Sequence, residues 1–395
     1  MAIDSNLSRM SLSPVYLDHA STTPVRDEVL EAMLPWFAHR FGNPSSTHRL
    51  GREARVALDE ARERVATTLG AHPDECCFTS CGTESDNFAV IGAWRAAHAA
   101  GRACVLSTPI EHKAVLAACH QVVREGGAER FAPVSPDGVV DADAFAAACD
   151  SSLAVASVMW VNNEVGVMQD IPALTERVKA VGALMHTDAV QAFGKIAFDL
   201  RTLPVDLLTI SGHKLGAPKG IGALFIRRGV TLEPLMHGGS QDRGRRPGTE
   251  NVPYAVGLAV ACELAVAERE AEMAHLNALR DRLEARLLEG VPDAVIHARG
   301  AVRAPHVTNV SIPGTDAETL LMALDLRGVQ ASGGSACQSG SVGASHVLAA
   351  MGVPPELAAG AMRLSLGKLS TEAGVDRAVD VLVTLARKAR GLPPA

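Results

Sequence analysis

Lys214, in the run Ser211-Gly212-His213-Lys214, is the side chain best placed for covalent chemistry. Residues 205–210 before it form a short, mostly apolar run that reads as a buried strand, and Gly212 frees the backbone to turn where the strand stops. An amine at the carboxyl end of a strand lies where open α/β sheets keep their ligand crevice, and there it could form a Schiff base with a carbonyl cofactor. A surface lysine that merely closes a strand is the plainer reading. The second reactive group is Cys337, inside residues 332–344, which are mostly serine, glycine and alanine. No large apolar neighbour explains that thiol as core filler. On a flexible tether it could reach a substrate and attack as thiolate; a linker with an incidental cysteine is the alternative.

Four further clusters fall at predicted strand ends. Gly82 and Thr83 would offer backbone N–H groups and a hydroxyl at a helix start, a ready phosphate site. The same turn serves equally as capping, with Thr83 as the cap and Asp86 completing the box. Asp188, in Asp188-Ala189-Val190-Gln191, could pair with a protonated pyridine nitrogen and keep such a ring an electron sink, or it could cap the next turn. Asn162-Asn163 before Glu164-Val165-Gly166 could hold a phenolic oxygen or a carboxylate, or be simple turn chemistry. His112 opens a helix, where its imidazole could stack on an aromatic cofactor and carry protons, or sit solvated.

The elements that would position these groups alternate. Strands are expected at 75–80, 103–107, 130–134, 153–160, 184–188 and 205–211, with helices at 46–69, 84–100, 112–125 and 171–181. That rhythm predicts an α/β fold with a mostly parallel sheet covered by helices on both faces, and residues 222–227 returning antiparallel at an edge. A glycine- and arginine-rich loop at 238–250 precedes a long helix at 251–289, and the remainder reads as a smaller α+β unit. The expected division is 15–265 for the large unit and 266–395, with 1–14, for the small one.

With 395 residues, 47% hydrophobic and 21% charged, the composition is that of an ordinary globular protein. A net charge of -7 and the lack of a basic run speak against nucleic acid as a ligand. No run of about 18 apolar residues and no apolar signal core near the start is found, so a cytoplasmic protein without a membrane partner is expected. The eight cysteines lack C-x-x-C spacing and the fourteen histidines lack H-x-x-x-H spacing, so no metal site is expected. A nicotinamide dehydrogenase fares poorly because no G-x-G-x-x-G follows the first strand.

Taken in order, these segments resemble the cysteine desulfurases, the class-V aminotransferase-like branch of pyridoxal 5'-phosphate enzymes. Further matching segments are Tyr16-Leu17-Asp18-His19-Ala20-Ser21-Thr22-Thr23-Pro24, Asn43-Pro44-Ser45-Ser46-Thr47-His48, Arg246-Pro247-Gly248-Thr249 and Arg363-Leu364-Ser365-Leu366-Gly367. The resemblance runs from about residue 15 to 385 and implies the large-plus-small architecture of fold type I. It makes Lys214 the imine lysine, Asp188 the partner of the pyridine nitrogen and His112 the stacking histidine. Asn163 and Gln191 would contact the substrate carboxylate and the ring's phenolic oxygen. Gly82, Thr83, Ser211 and His213 resemble the phosphate cradle, which Thr249 of the neighbouring subunit would complete in a homodimer. Arg363 matches the arginine that takes the substrate carboxylate, and Cys337 the cysteine that accepts sulfur from L-cysteine as a persulfide.

The resemblance further implies a sulfur-acceptor protein, an iron-sulfur scaffold or a tRNA-thiolation factor. Selenocysteine lyase, another lyase or an aminotransferase are alternatives on the same scaffold, and a catalytically silent partner that docks sulfur carriers is the non-enzymatic one. Two departures stand out: Cys81 replaces a glycine common at the phosphate turn, and residues 388–395 do not resemble the segment with which housekeeping members hold their scaffold.

Overall fold

The computed structural model describes residues 14–333 and 345–393. Its central sheet has seven strands: β1 Cys76–Thr79, β2 Cys104–Ser107, β3 Ala128–Phe131, β4 Leu153–Ser157, β5 Leu184–Asp188, β6 Leu207–Ser211 and β7 Gly222–Ile226. Their order is β1-β7-β6-β5-β4-β2-β3. The pairs from β6 through β3 are parallel, while β7 runs antiparallel to both β1 and β6. The expected parallel sheet is therefore present, but residues 222–227 are not at an edge. Every residue of β7 is buried, paired on one side with β1 and on the other with β6. The two edges are β1, also wholly buried, and β3, which carries partly exposed residues throughout.

Helix boundaries follow from caps. Helix α1, Arg49–Leu69, starts later than expected because His48 is its cap, with Nδ1 accepting from the Gly51 N–H at 3.3 Å. It stops at Gly70, whose φ of 71° is a conformation that suits glycine. Helix α2, Lys113–Arg124, is likewise capped by His112 itself. Helices cover both faces of the sheet, leaving one apolar cluster around Leu58, Val65, Leu208 and Phe225 and another around Phe88, Trp94, Val105 and Leu224.

Helix α3, Val252–Gly290, spans two cores. Its early buried residues, such as Leu258 and Cys262, join the first cluster; Leu276, Leu279, Leu283 and Leu287 join another. Between Cys262 and Leu276 no residue of the helix is fully buried, though Val266 packs partly on the first core and Met273 on the second. There we place the division between the two units as our proposal. The second core lies under a four-stranded antiparallel sheet, β8 Val295–Ile296, β9 Val307–Ser311, β10 Ser332–Gly333 and β11 Ala361–Ser365, ordered β10-β11-β9-β8. Val15 and Tyr16 pair with Val329 and Gln330, and Leu17 is buried in this second core. Residues 15–17 thus pack with the second core.

Candidate active site

In the large sheet β1, β2, β4, β5 and β6 all point their carboxyl ends to one side, and the chain delivers a polar group after each. Gly82 and Thr83 follow β1, His112 follows β2, Asn163 follows β4, Asp188 ends β5, and Ser211, His213 and Lys214 end and follow β6. These residues, with Gln191 and Arg363, line one cavity of about 550 Å³. Its volume is in the range of a small-molecule or cofactor site. Thr249 lines a different cavity, together with Phe78, Ser80 and Gly248. Cys337 lies outside the described residues.

The phosphate reading of the turn after β1 gains, and the capping reading loses. The cap is Cys81, not Thr83, and no side chain bonds the first-turn N–H groups. Gly82 admits no larger residue easily, since a Cβ there would meet Val190 at 3.1 Å. Ser211 Oγ, in the same cavity, is buried without a partner. A phosphate ester would supply acceptors for all of these.

At the other end of the cavity two buried acids face the opposite need. Asp188 is 5% exposed and spends one oxygen on the Val190 N–H at 2.9 Å. Burial raises its pKa, with His112 and Lys214 opposing. Asp86 is 1% exposed, its Oδ1 has no hydrogen-bond partner among the described residues and lies 3.8 Å from His186 Nε2, and burial together with Asp188 holds its pKa well above the carboxylate range. A cationic N–H beside Asp188 is what such a pair lacks, and a pyridine nitrogen provides one. The donor set therefore fits pyridoxal 5'-phosphate. Burial also lowers the pKa of His112, and its Nδ1 accepts from the Ala114 N–H at 3.2 Å, so the ring is held upright as a neutral cap.

Lys214 is anchored from a direction that the motif itself does not reveal. Its Nζ donates to the carbonyls of Ala20 and Ser21, each at 2.6 Å. Those carbonyls belong to a segment bound to the small unit, where the Ala20 N–H reaches Ser365 Oγ at 2.9 Å. Gln191 is committed as well, donating from Nε2 to Ala20 O at 2.9 Å and facing His306 with Oε1 at 3.1 Å. His213 Nδ1 lies 3.2 Å from Thr22 Oγ1, and burial lowers its pKa to about 4.

Arg363 comes from β11 and is engaged through both terminal nitrogens, while its buried Nε has no hydrogen-bond partner among the described residues. It donates to Asn163 O at 2.9 Å, Asp18 Oδ1 at 2.9 Å, Ser21 Oγ at 2.6 Å and Ser332 Oγ at 2.9 Å. Asn162 and Asn163 divide the two readings of their turn. The Asn162 side chain only ties the turn, to Ile110 O, Glu164 N–H and Val165 N–H, while Asn163 lines the cavity. Sequence reasoning did not assign roles to Asp18, Ser21, Glu164 or His346, and gave Asp86 only a capping role. Asp18 and Ser21 had a signal in the polar residues before Pro24; Glu164 and His346 had none, because burial beside the cavity is a tertiary fact.

The chain is similar to known proteins over most of its length. The family model described as aminotransferase class-V matches residues 15–378. A cysteine desulfurase of Trichormus azollae is 44% identical over 383 residues, 97% of this chain and 95% of that protein. A solved NifS-like protein superposes with a TM-score of 0.89 at 39% identity, covering 94% of this chain and 99% of its own. The structure of SspA in complex with cysteine matches with a TM-score of 0.77 at 32% identity, over 89% of this chain and 98% of its own. A mostly parallel sheet between helices, a lysine at a strand's carboxyl end and near-full-length similarity to such proteins lead to one assignment: the chain belongs to the class-V aminotransferase family, in its NifS/IscS-like cysteine desulfurase branch, with the architecture of fold type I.

Proposed function

We propose that this protein is a pyridoxal 5'-phosphate-dependent cysteine desulfurase that converts L-cysteine to L-alanine and passes the sulfur through a persulfide on Cys337. The observation that carries the reading is the convergence of Lys214, Asp188, His112 and the Gly82 turn on one cavity. Lys214 would hold the cofactor covalently, Asp188 its ring nitrogen, Gly82, Thr83, Ser211 and His213 its phosphate, and Asn163 and Gln191 its polar edge. When bound, the ring draws electrons from the substrate Cα.

The chain's own groups do the rest. Arg363 orients the substrate carboxylate with a planar fork, whose Nη2 also gives protons to Asp18 and Ser332. Lys214 and His112 move protons near Cα and the substrate thiol. Cys337 thiolate forms the new S–S bond as the substrate C–S bond breaks, and the carbon fragment leaves as alanine. Cys337 stands five positions after Ser332, and an extended chain covers at most about 3.6 Å per residue, so its reach from that anchor is about 18 Å. Ser332 is bonded to Arg363, and Ser345, on the other flank, to Glu164; both partners line the cavity.

The reading extends to a homodimer. Thr249 does not line its own chain's cavity, and Leu34, Phe37 and Phe41, close to one another in sequence, leave apolar surface exposed. A cytoplasmic location is part of the proposal; among the described residues no helix is long and apolar enough to cross a membrane. Its product sulfur would pass to an acceptor protein serving iron-sulfur cluster assembly or thiolation of tRNA or a cofactor.

The test uses two variants. Cys337→Ser should keep the cofactor's visible absorbance and stop alanine formation from L-cysteine; Lys214→Ala should lose the absorbance of the covalently held cofactor. Full turnover in the first, or an unchanged spectrum in the second, sinks the mechanism.

A further inference from the structure

A second cavity, of about 410 Å³, lies beside the first and shares Lys214 with it; His19, Lys195 and His306 are among its lining. His306 is 1% exposed, and its Nε2 is 3.1 Å from Gln191 Oε1. Hydrogen-bond chemistry fixes the direction of that contact. Ala20 O can only accept, so the Gln191 amide nitrogen must face it, and Oε1 is left facing the imidazole. His306 therefore carries its proton on Nε2. Burial first, then Lys195 and Arg363, keeps the ring's pKa well below the usual value, so the ring is neutral. Its Nδ1 is then a lone pair, buried without a hydrogen-bond partner among the described residues. Ala20 O receives Lys214 Nζ as well. Ring, amide, carbonyl and amine form one unbroken chain of hydrogen bonds.

We propose that His306 is a positioning residue for the reaction centre: by donating to Gln191 Oε1 it holds the amide in place against the shared Ala20 carbonyl that also receives Lys214. Without that donor Oε1 is left bare in a buried site, and the amide swings toward another donor and gives up Ala20 O. Lys214 would then lose a defined anchor, and the ring's polar edge a defined neighbour. The inference rests on the cofactor reading above.

Its test is titration of apoprotein with pyridoxal 5'-phosphate, reading cofactor affinity and the pH midpoint of the bound cofactor's absorbance, in the wild type and in His306→Leu, His306→Gln, Gln191→Leu and the Leu/Leu double variant. His306→Leu should bind about tenfold more weakly, the cost of a buried acceptor left bare, and shift the midpoint. His306→Gln, which keeps an N–H donor, should restore both, and the double variant should be no worse than Gln191→Leu. Should His306→Leu fail to fold, His306→Asn, whose shorter amide falls short of Gln191, takes its place with the same expectations. A wild-type midpoint and affinity in the variant lacking the donor, equal impairment with Gln, or additive losses in the double variant would overturn the proposal. A wild-type protein that takes up no cofactor would overturn this inference and the cofactor reading together.

Discussion

Two supports meet at the cavity and are built on different principles. On the sheet side, neighbouring parallel strands end together, and each delivers its polar group within a few residues of its last pair. On the small-unit side, Arg363 and the segment that anchors Lys214 are held by contacts across most of the chain; Ala20 and Ser365 are 345 positions apart. The sheet side places the groups that would act on the cofactor, and the small-unit side those that would grip the substrate. The difference teaches that rate and affinity should respond to different halves of the wall.

The largest effect should follow loss of charge on the sheet side. Asp188→Asn removes the anion that a ring cation needs, and kcat for alanine formation should fall by about 10²–10⁴-fold with KM little changed. Steady-state kinetics with cofactor occupancy followed by absorbance reads this directly. A rise confined to KM would break the division. Arg363→Ala should do the opposite. Removing a charge-assisted fork raises KM for L-cysteine by roughly 10²-fold and leaves kcat within a few-fold. An equal fall in kcat would show that the small unit also shapes the reacting geometry.

That division also explains what could be read from the sequence. Strand-end groups such as Lys214, Asp188 and His112 were legible because an apolar run, a stop and a polar residue follow one another in order. The fold class came from the same rhythm. The place of β7 did not, because a short buried run says nothing about which neighbours flank it. Nor did the commitments of Arg363 to Asp18, or of Gln191 to His306, since pairs 345 and 115 positions apart leave no local trace. The capping reading of Thr83 erred for a related reason: which residue caps is set by where the chain enters the helix, and here that is Cys81.

A smaller effect is expected at Asp18, whose carboxylate partly neutralises Arg363 at 2.9 Å. Asp18→Asn keeps an oxygen acceptor but removes the competing charge, so KM for L-cysteine should fall by about threefold, the scale of a partly exposed ion pair. Asp18→Ala loses the acceptor too, and KM should rise. If both variants move KM the same way, charge competition is not what Asp18 contributes.

The smallest effect separates the two supports by acid. His186 lies under the sheet, between Ser157 Oγ at 2.8 Å and Thr209 Oγ1 at 3.0 Å, and burial lowers its pKa to about 3. His297 belongs to the small unit, 2.7 Å from Ser311 Oγ, and burial lowers its pKa to about 4. Both are neutral when folded, while an opened chain binds their protons below the ordinary value of about 6.5. The opened state thus binds more protons, so stability is full above pH 6.5 and is lost as pH falls, to about 4 for His297 and about 3 for His186. Amide hydrogen exchange between pH 6.5 and 5 reports this opening strand by strand. His297→Asn should flatten the acid dependence in β9 by about 1.4 kcal/mol per pH unit and leave β5 alone, and His186→Asn should do the reverse. Were either variant to flatten both strands, the two cores would be opening as one, and the independence of the two supports would be lost.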